Sequence, residues 1–270
     1  MRPIISALHT GYTSLGTGTT KTQLGGAAVI LPSWAKSILA VKPNVNIFDN
    51  TTAEAVITSC DVESNDLSLM PFQVLPSPIA STLLGTNVQQ YQHKPEIYAL
   101  GVQTQGGEQV NVYETALVAN TAAPTGGATL IVSNMPAGHP QRHAKIGTLT
   151  STGVTASSDV AGTRDNFTGA KHIIELQAVM AGSLCTTVRG WMGYVKFTSN
   201  EFEGVADVKM ELNPICGGSG TDISQYVDGT SRQQVDIPVA PGQVNIQDYA
   251  FFGVVSPTTA GNFVTGVIYE

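Results

Sequence analysis

The stretch AKSILAV at residues 35–41 recurs as AKHIIEL at residues 170–176, which is 135 positions later in the chain. The turn SNDL at residues 64–67 recurs as SNEF at residues 199–202 with the same offset. The strand ending LPSPI matches a later LNPI, with the last residue, Ile79, shifted by 136 positions. Three matches in one order and at almost one spacing indicate an internally duplicated chain.

Two weaker matches follow, YALGV at 98–102 with YAFFGV at 249–254 and VYE at 112–114 with IYE at 268–270. The offset has by then grown to 152 positions, which predicts an insertion within residues 216–248. That range begins with CGGSG, a composition typical of an exposed loop. The joint between the repeats is expected within residues 119–168.

The apolar segments are short, rich in Val, Ile, Thr, Tyr and Phe, and bounded by Gly, Pro, Asn or Asp, which is the pattern of strands and turns. No window carries a sustained 3.6-residue stripe, so helix content should be low, with short helices considered only at residues 79–84 or 219–226. The sequence therefore predicts an all-β fold of two tandem eight-stranded jelly rolls. Residues 1–135 would form the first roll with an N-terminal arm. Residues 136–270 would form the second, with an inserted loop at about 216–248.

Charge is scarce in this sequence. Only 12% of the residues are charged, where about 25% is typical, and the formal net charge is −7. No run of Lys and Arg is present, which argues against direct nucleic-acid binding because such proteins neutralise phosphates with clustered cations. No apolar stretch approaches the roughly 20 residues that span a bilayer, and the N-terminus lacks the apolar core of a signal peptide. A surface covered by copies of the same chain fits this composition, as does a secreted β-sandwich.

The three cysteines, Cys60, Cys185 and Cys216, have neither CxxC nor Cys/His spacing, so they are interpreted as buried free thiols in a reducing cytosol. His139 and His143 are four residues apart, but Pro140 opposes the helix that a shared metal would need, so a solvated linker is expected.

Acidic residues cluster in the equivalent turns of the two repeats: Asp61, Glu63, Asp66, Glu201 and Glu203. Polar turns are expected there, with calcium ligation through carboxylate oxygens as the alternative.

Motifs for catalysis or cofactor binding were not found. The stretch GTGTTKT at residues 16–22 lacks the glycine that precedes the lysine of a phosphate loop, and G-x-S-x-G does not occur. Trp34 and Trp191 lie near matched strand segments, which favours core packing for both. No catalytic, cofactor-binding or metal-ligating residue is therefore predicted, and the chain is expected not to be an enzyme.

A duplicated jelly roll of this length, poor in charge and without a basic arm, resembles the double-jelly-roll major capsid proteins of icosahedral double-stranded DNA viruses of the adenovirus-type lineage. The resemblance covers residues 35–114 against 170–270 and rests on architecture. It implies a structural protein whose homotrimers form pseudo-hexagonal capsomers, with the 216–248 loop as a tower. It also implies a virion location, assembly in the host cytoplasm, contacts with neighbouring capsomers and with penton or minor capsid proteins, and, in some members, an underlying membrane.

Three other functions stay open on the sequence. One is a secreted or surface β-sandwich that binds carbohydrate, which would need an aromatic platform. Another is a two-jelly-roll hydrolase, such as an amidase acting on glycans, which would need convergent acids. The third is a minor capsid, spike or phage tail component.

Overall fold

The structure, a computed structural model, describes residues 2–47, 54–76, 79–84, 87–92, 95–120, 122–152, 159–182, 189–212, 215–217, 226–227, 230–254 and 261–270. Within these residues the chain forms strands and one short 3-10 helix, η1 at Leu24–Gly26, and no α-helix. The prediction of an all-β fold is confirmed. The helix considered at residues 79–84 is a strand, because this stretch pairs with two neighbouring segments. Most of residues 219–226 lies outside the described residues.

The strands of the first half are β1 Ile5–His9, β2 Thr13–Ser14, β3 Thr22–Gln23, β4 Val29–Ile30, β5 Ser37–Asn46, β6 Glu54–Val56, β7 Thr58–Ser64, β8 Leu69–Val74, β9 Ile79–Leu84, β10 Asn87–Gln92, β11 Tyr98–Gln103, β12 Gln109–Ala116 and β13 Thr125–Ser133. Those of the second half are β14 His143–Ile146, β15 Thr150–Thr152, β16 Asp159–Thr168, β17 His172–Gly182, β18 Arg189–Thr198, β19 Asp207–Leu212, β20 Ile215–Gly217, β21 Tyr226–Val227, β22 Ser231–Pro238, β23 Gln243–Val254 and β24 Gly261–Tyr269.

Each half contains two larger antiparallel sheets. In the first half these run β1-β13-β5-β11 and β3-β12-β7-β8, and β10-β9-β6 form a small third sheet. In the second half they run β14-β24-β17-β22 and β16-β23-β18-β19, with β20 and β21 continuing beside β18. When the eight main strands of each half are numbered along the chain, both halves read 1-8-3-6 in one sheet and 2-7-4-5 in the other. The two halves therefore share one connectivity.

The duplication extends to local irregularities. In the first half the pairing of β13 with β5 skips Leu39, and in the second half the pairing of β24 with β17 skips Ile174, which is 135 positions later. The turns after β7 and β18 also correspond. A carboxylate oxygen of Asp66 accepts the backbone N–H of Gln109, and one of Glu201 accepts that of Asn245. Equivalent bulges and turns confirm the sequence match on which the duplication was inferred.

The two later sequence matches are wrong. They pair residues 98–102 with β23 and residues 112–114 with the end of β24. In the sheets, β11 is the neighbour of β5, and the corresponding neighbour of β17 is β22. The counterpart of β11 is therefore β22 and not β23. Tyr98 and Gln233 then correspond, at an offset that is again 135. Short Tyr-, Val- and Gly-containing strands resemble one another in sequence, so the match slipped by one strand. The growth of the offset, which suggested an insertion at 216–248, loses its support, and residues 218–225 and 228–229 of that range lie outside the described residues.

The cores of the two halves are continuous with each other. Ile57 and Leu75 of the first half are buried in the cluster of the second, and Ala144 and Ile268 of the second half are buried in the cluster of the first. No described strand pair joins the two halves, which are connected by side-chain packing, by hydrogen bonds of side chains and by a backbone hydrogen bond from Arg142 to Leu100. A domain boundary at residues 135/136 stays a prediction, because pairing and packing do not divide the chain in the same way.

Candidate functional site

The polar groups that are most deeply buried between the halves lie around Leu75, which follows β8. The backbone N–H of Leu75 donates to Oε1 of Gln177 on β17 at 3.2 Å. Its carbonyl oxygen accepts hydrogen bonds from the hydroxyls of Tyr98 and Thr230. Leu75, Gln177 and Tyr98 are each at most 1% exposed, so these contacts replace water for buried polar groups. These contacts hold the end of β8 on the outer face of the β14-β24-β17-β22 sheet.

An ion cluster lies beside this contact. Arg232 donates from Nε and Nη2 to the two carboxylate oxygens of Glu175 at 2.6 and 2.7 Å, and from Nη1 to Glu96 at 2.5 Å. Gln234 and Gln177 both donate to Glu175 through their side-chain amides. Burial alone would lower the pKa of Arg232, but its bonds and charge contacts with Glu175 outweigh that effect and raise it. The guanidinium therefore stays charged.

This cluster joins the two halves, and its carboxylate and guanidinium groups are already paired with each other. Glu175 is 2% exposed and both of its oxygens accept hydrogen bonds. The guanidinium carbon of Arg232 lies 4.4 Å from the centroid of the Tyr98 ring, a cation–π contact across the two halves. Burial raises the pKa of Tyr98 well above its usual value, so its hydroxyl stays protonated and can donate. A carboxylate bound by an arginine and two amides is not available as a base.

A cleft of about 270 Å³ opens to solvent on the outer face of the β16-β23-β18 sheet. It is lined almost entirely by polar side chains: Arg164, Thr198, Ser199, Asn200, Ala206, Asn245, Gln247 and Tyr249. Alternation along β23 turns Asn245, Gln247 and Tyr249 outward, while Val244 and Ile246 are buried in the core. The cleft thus offers amides, a guanidinium, hydroxyls and one phenol ring.

Neighbouring contacts orient the walls of this cleft. Glu201 accepts hydrogen bonds from the Ser199 hydroxyl at 2.5 Å and from the Asn245 side-chain amide at 3.3 Å, which together hold the pKa of Glu201 below its usual value. The Nζ of Lys196 lies 4.7 Å from the centroid of the Tyr249 ring, so one face of that ring is occupied. The cleft is preorganised for hydrogen bonding more than for stacking.

Each half also encloses one buried carboxyl under a glycine. Glu114 on β12 is fully buried; Oε1 accepts the Thr58 hydroxyl at 2.8 Å, and Oε2 accepts no hydrogen bond from a described residue. Burial raises its pKa to about 8. Asp248 on β23 accepts the Thr265 hydroxyl at 2.9 Å, and burial raises its pKa to about 6. A Cβ on Gly126 would overlap Glu114, and one on Gly162 would overlap Asp248.

The acidic residues predicted from sequence are partly brought together. Nζ of Lys21 lies 3.2 Å from a carboxylate oxygen of Asp61 and 3.2 Å from one of Glu63, and Gln73 donates weakly to Asp61. The stretch at residues 16–22, which lacks the glycine of a phosphate loop, therefore places its lysine beside these two carboxylates. Asp66 lies in the turn and accepts from Gln109, and Glu203 is exposed. The acids are used in ion pairs and turns.

The remaining predicted residues do not form one site. His143 lies in β14 and its ring stacks on Tyr269 at 5.4 Å, whereas Nδ1 of His139 contacts the carbonyl oxygen of Pro140. Within the described residues, no group of three or more His, Cys, Asp or Glu side chains is placed to hold a metal ion.

Cys60 is a free, fully buried thiol; the side chains of Cys185 and Cys216 lie outside the described residues. Trp34 is 36% exposed and lies in the turn before β5, so the expectation that it packs in the core is wrong. The side chain of Trp191 lies outside the described residues. No helix among the described residues is long and apolar enough to cross a membrane.

Sequence reasoning missed the ion cluster and the cleft. Arg232 and Glu175 are 57 positions apart, so no local motif joins them. One signal was present, since Glu175 and Gln177 interrupt the apolar run HIIELQAVM of β17. Polar residues on one face of a strand that is buried on both faces indicate a polar contact with another part of the chain.

Comparison with known proteins finds no matching protein family and no matching curated protein. Among solved structures, a peptide-N(4)-(N-acetyl-β-D-glucosaminyl) asparagine amidase is similar over 98% of this chain and 96% of its own, with 6% identity and a TM-score of 0.50. A chain of the Sulfolobus turreted icosahedral virus covers 100% and 90%, with 9% identity and a TM-score of 0.45. A chain of infectious bursal disease virus covers 99% and 72%, with 9% identity and a TM-score of 0.30. The chain's structural neighbours thus include chains of two viruses and an amidase, and the likeness to the amidase shows a shared fold alone.

The prediction that the chain is not an enzyme is contradicted by the amidase comparison. That prediction rested on the absence of local motifs, but a protein with the same fold over nearly the whole chain is an enzyme. Strands from distant parts of a sequence bring residues together that no local motif contains, as Arg232 and Glu175 illustrate. The fold does not separate a structural protein from a catalytic one.

Proposed function

We propose that the chain is a double-jelly-roll major capsid protein whose homotrimers form the pseudo-hexagonal capsomers of an icosahedral virion shell. The observation that carries the proposal is the strand order 1-8-3-6 and 2-7-4-5, repeated in both halves. Eight strands in two packed antiparallel sheets with two Greek keys define a jelly roll. The buried seam around Leu75 and Arg232 supports it further, because it fastens the two rolls side by side as one building block.

Surface composition adds to this proposal. Charged residues make up 12% of the chain, and the consecutive residues Ile4 and Ile5 are 50% and 64% exposed. Exposed apolar residues that adjoin one another mark surfaces for association. Such a protein would contact neighbouring capsomers, and penton or minor capsid proteins, within the virion.

The test is the mass of the purified protein in solution, combined with negative-stain imaging. A trimer with a hexagonal outline, or closed shells, is the expected result. A chain that stays monomeric at every concentration tested, and forms no shells at raised ionic strength, would overturn the proposal.

A second candidate function, carbohydrate binding, is favoured by the cleft on the β16-β23-β18 sheet. Its guanidinium, amides and phenol ring are groups that hydrogen-bond to sugar hydroxyls. The likeness to an amidase whose name includes a glycosylated asparagine fits the same class of ligand. Titration with N-acetylglucosamine oligomers, followed by NMR or calorimetry, tests it. Binding that Gln247→Ala weakens at least tenfold, while Gln105→Ala at an exposed loop does not, would support this function over the first.

A further inference from the structure

The outer faces of the β14-β24-β17-β22 and β1-β13-β5-β11 sheets are equivalent, yet their burial differs. In the second half, Ala144 pairs with Ile268, and Ile268 pairs with Glu175. In the first half, Ala7 pairs with Ile131, and Ile131 pairs with Ala40. The offsets between the rows are 137, 137 and 135 residues, so the positions correspond.

The covered face is defined by Ala144, Ile268, Glu175 and Gln177, which are 4%, 2%, 2% and 1% exposed. The first half buries it. β8 lies against β14, and Ala144 and Ile268 join the apolar cluster that includes Leu69 and Phe72 of β8.

The open face is defined by the equivalent residues Ala7, Ile131, Ala40 and Lys42. Ala7 is exposed, Ile131 and Lys42 are half-buried, and Ala40 is buried by its neighbours in the sheet. Within the described residues β1 pairs with β13 alone, so its other edge has no strand beside it. The open face therefore repeats the alanine and isoleucine of the covered face without the cover.

The strand β8, which covers the covered face, also has a counterpart in the second half. Val74 of β8 pairs with Cys60, and Met210 of β19 pairs with Val195, 135 positions after Cys60, so β19 corresponds to β8. Phe72 on β8 is 1% exposed under β14, whereas its counterpart Val208 on β19 is half-buried. β19 pairs with β18 alone among the described strands, so its outer edge, like that of β1, has no strand beside it.

We propose that copies of this chain associate head to tail, with β19 of one copy lying on the open face of the next as β8 lies on the covered face. The contact between the halves of one chain would be repeated between chains, and this inference rests on the self-assembly proposed above. Charge fits this pairing. Lys42 is the one charged member of the open face, and the exposed face of β19 carries Asp207, Lys209 and Glu211, so its net charge is negative and opposite in sign to that of Lys42. A contact between two different surfaces gives a closed ring when its rotation divides a full turn, and a ring of three two-roll chains would contain six rolls.

Two variants, each blocking one surface, test the inference. Ala7→Glu places a charge where the covered face has the buried Ala144, and Glu211→Arg places a cation opposite Lys42. Matched controls make the same changes at exposed positions outside the proposed contact, namely Ala161→Glu on β16 and Glu203→Arg in the turn before β19. Thermal unfolding establishes that each variant is folded, and sedimentation gives its mass.

The wild-type chain and both controls should sediment as trimers, and Ala7→Glu should sediment as a monomer. Glu211→Arg should raise the dissociation constant at least tenfold. An equimolar mixture of the two variants should form dimers and nothing larger. The intact β19 of the Ala7→Glu variant can bind the intact open face of the Glu211→Arg variant, and the dimer then has no intact surface for a third copy. A symmetric contact between two β1 strands would instead leave Glu211→Arg fully assembled.

The outcomes separate this inference from the proposed function. If the wild type never associates, the proposed function and this contact both fail. If the wild type forms trimers or shells and folded Ala7→Glu does so equally well, the contact alone is overturned. If Ala7→Glu fails to fold, hydrogen exchange on the wild type decides. Amides of β1 should gain at least tenfold protection on assembly, and an unchanged rate contradicts the contact.

Discussion

The covered and open faces show how one backbone arrangement accepts different side chains according to its surroundings. Ala144 and Ile268 in the covered row have the same residue types as Ala7 and Ile131 in the open row. The third position differs, since Glu175 occupies it in the covered row and Ala40 in the open one. A buried carboxylate is tolerated only with a partner, and Arg232 supplies it. The ion cluster is therefore explained by burial between the halves and not by strand position.

The largest predicted effect is the loss of stability on removing the Glu175 carboxylate from the covered face. Glu175→Ala should lower the free energy of unfolding by about 3–5 kcal/mol, because it leaves the Arg232 guanidinium beside Tyr98 without its main partner. Denaturant unfolding at neutral pH measures this loss. Glu63→Ala, which removes one half-buried partner of the exposed Lys21 ammonium, is the control and should cost no more than about 1 kcal/mol. Equal losses in the two variants would contradict the role given to the buried pair.

The buried carboxyls of Glu114 and Asp248 extend this comparison of the two halves to the dependence of stability on pH. The folded-state pKa of Glu114, about 8, lies above its ordinary value of 4.5, so the folded form keeps a proton that the unfolded form has released. Stability should therefore fall as pH rises through this window, by about 2–3 kcal/mol between pH 6 and pH 8. Above about pH 8 the loss should level off. Denaturant unfolding at pH 6, 7, 8 and 9 gives the slope.

Asp248 should behave in the same way at lower pH. Its folded-state pKa of about 6, raised from 3.8, confines the loss of stability to roughly pH 4–6. Glu114→Gln should flatten the curve above pH 6 and also reduce its slope between about pH 4.5 and 6, because the Glu114 carboxyl contributes over that whole interval. Asp248→Asn should reduce the slope between about pH 4 and 6 and leave the part well above pH 6 unchanged. A curve above pH 6 that is the same in wild type and Glu114→Gln would refute the assignment to the first half.

The equivalent turns give the smallest expected effect. Asp66→Ala and Glu201→Ala each remove a carboxylate that accepts the N–H of the following strand, from Gln109 and from Asn245. Each should cost about 1 kcal/mol or less, because both turns are solvated. Thermal unfolding measures the two losses. A ratio greater than about five between them would show that the turns are not equivalent in energy.

Much of the fold could be read from the sequence. The motif AKSILAV and its repeat located β5 and β17 in corresponding places, and SNDL and SNEF located the turns after β7 and β18. These predictions succeeded because the segments are long or carry a distinctive turn. The matches at 98–102 and 112–114 failed, because short apolar strands have too few distinguishing residues to fix which neighbour they pair with.

The candidate sites were much less accessible to sequence reasoning. The acidic turn residues were identified, but the bridging role of Lys21 between Asp61 and Glu63 depends on a loop that returns across about 40 residues. The polar cleft unites β16, β23 and the turn after β18, and no spacing in the chain connects these segments.

The strand-forming pattern, the internal repeat and the scarcity of charge could be established from the amino-acid order, because they depend on local periodicity and composition. The folded chain was needed to show which sheet face is buried, which carboxyls lose their solvent and where Glu175 contacts Arg232. Those properties depend on desolvation by parts of the chain that are distant in sequence, and desolvation is set by packing.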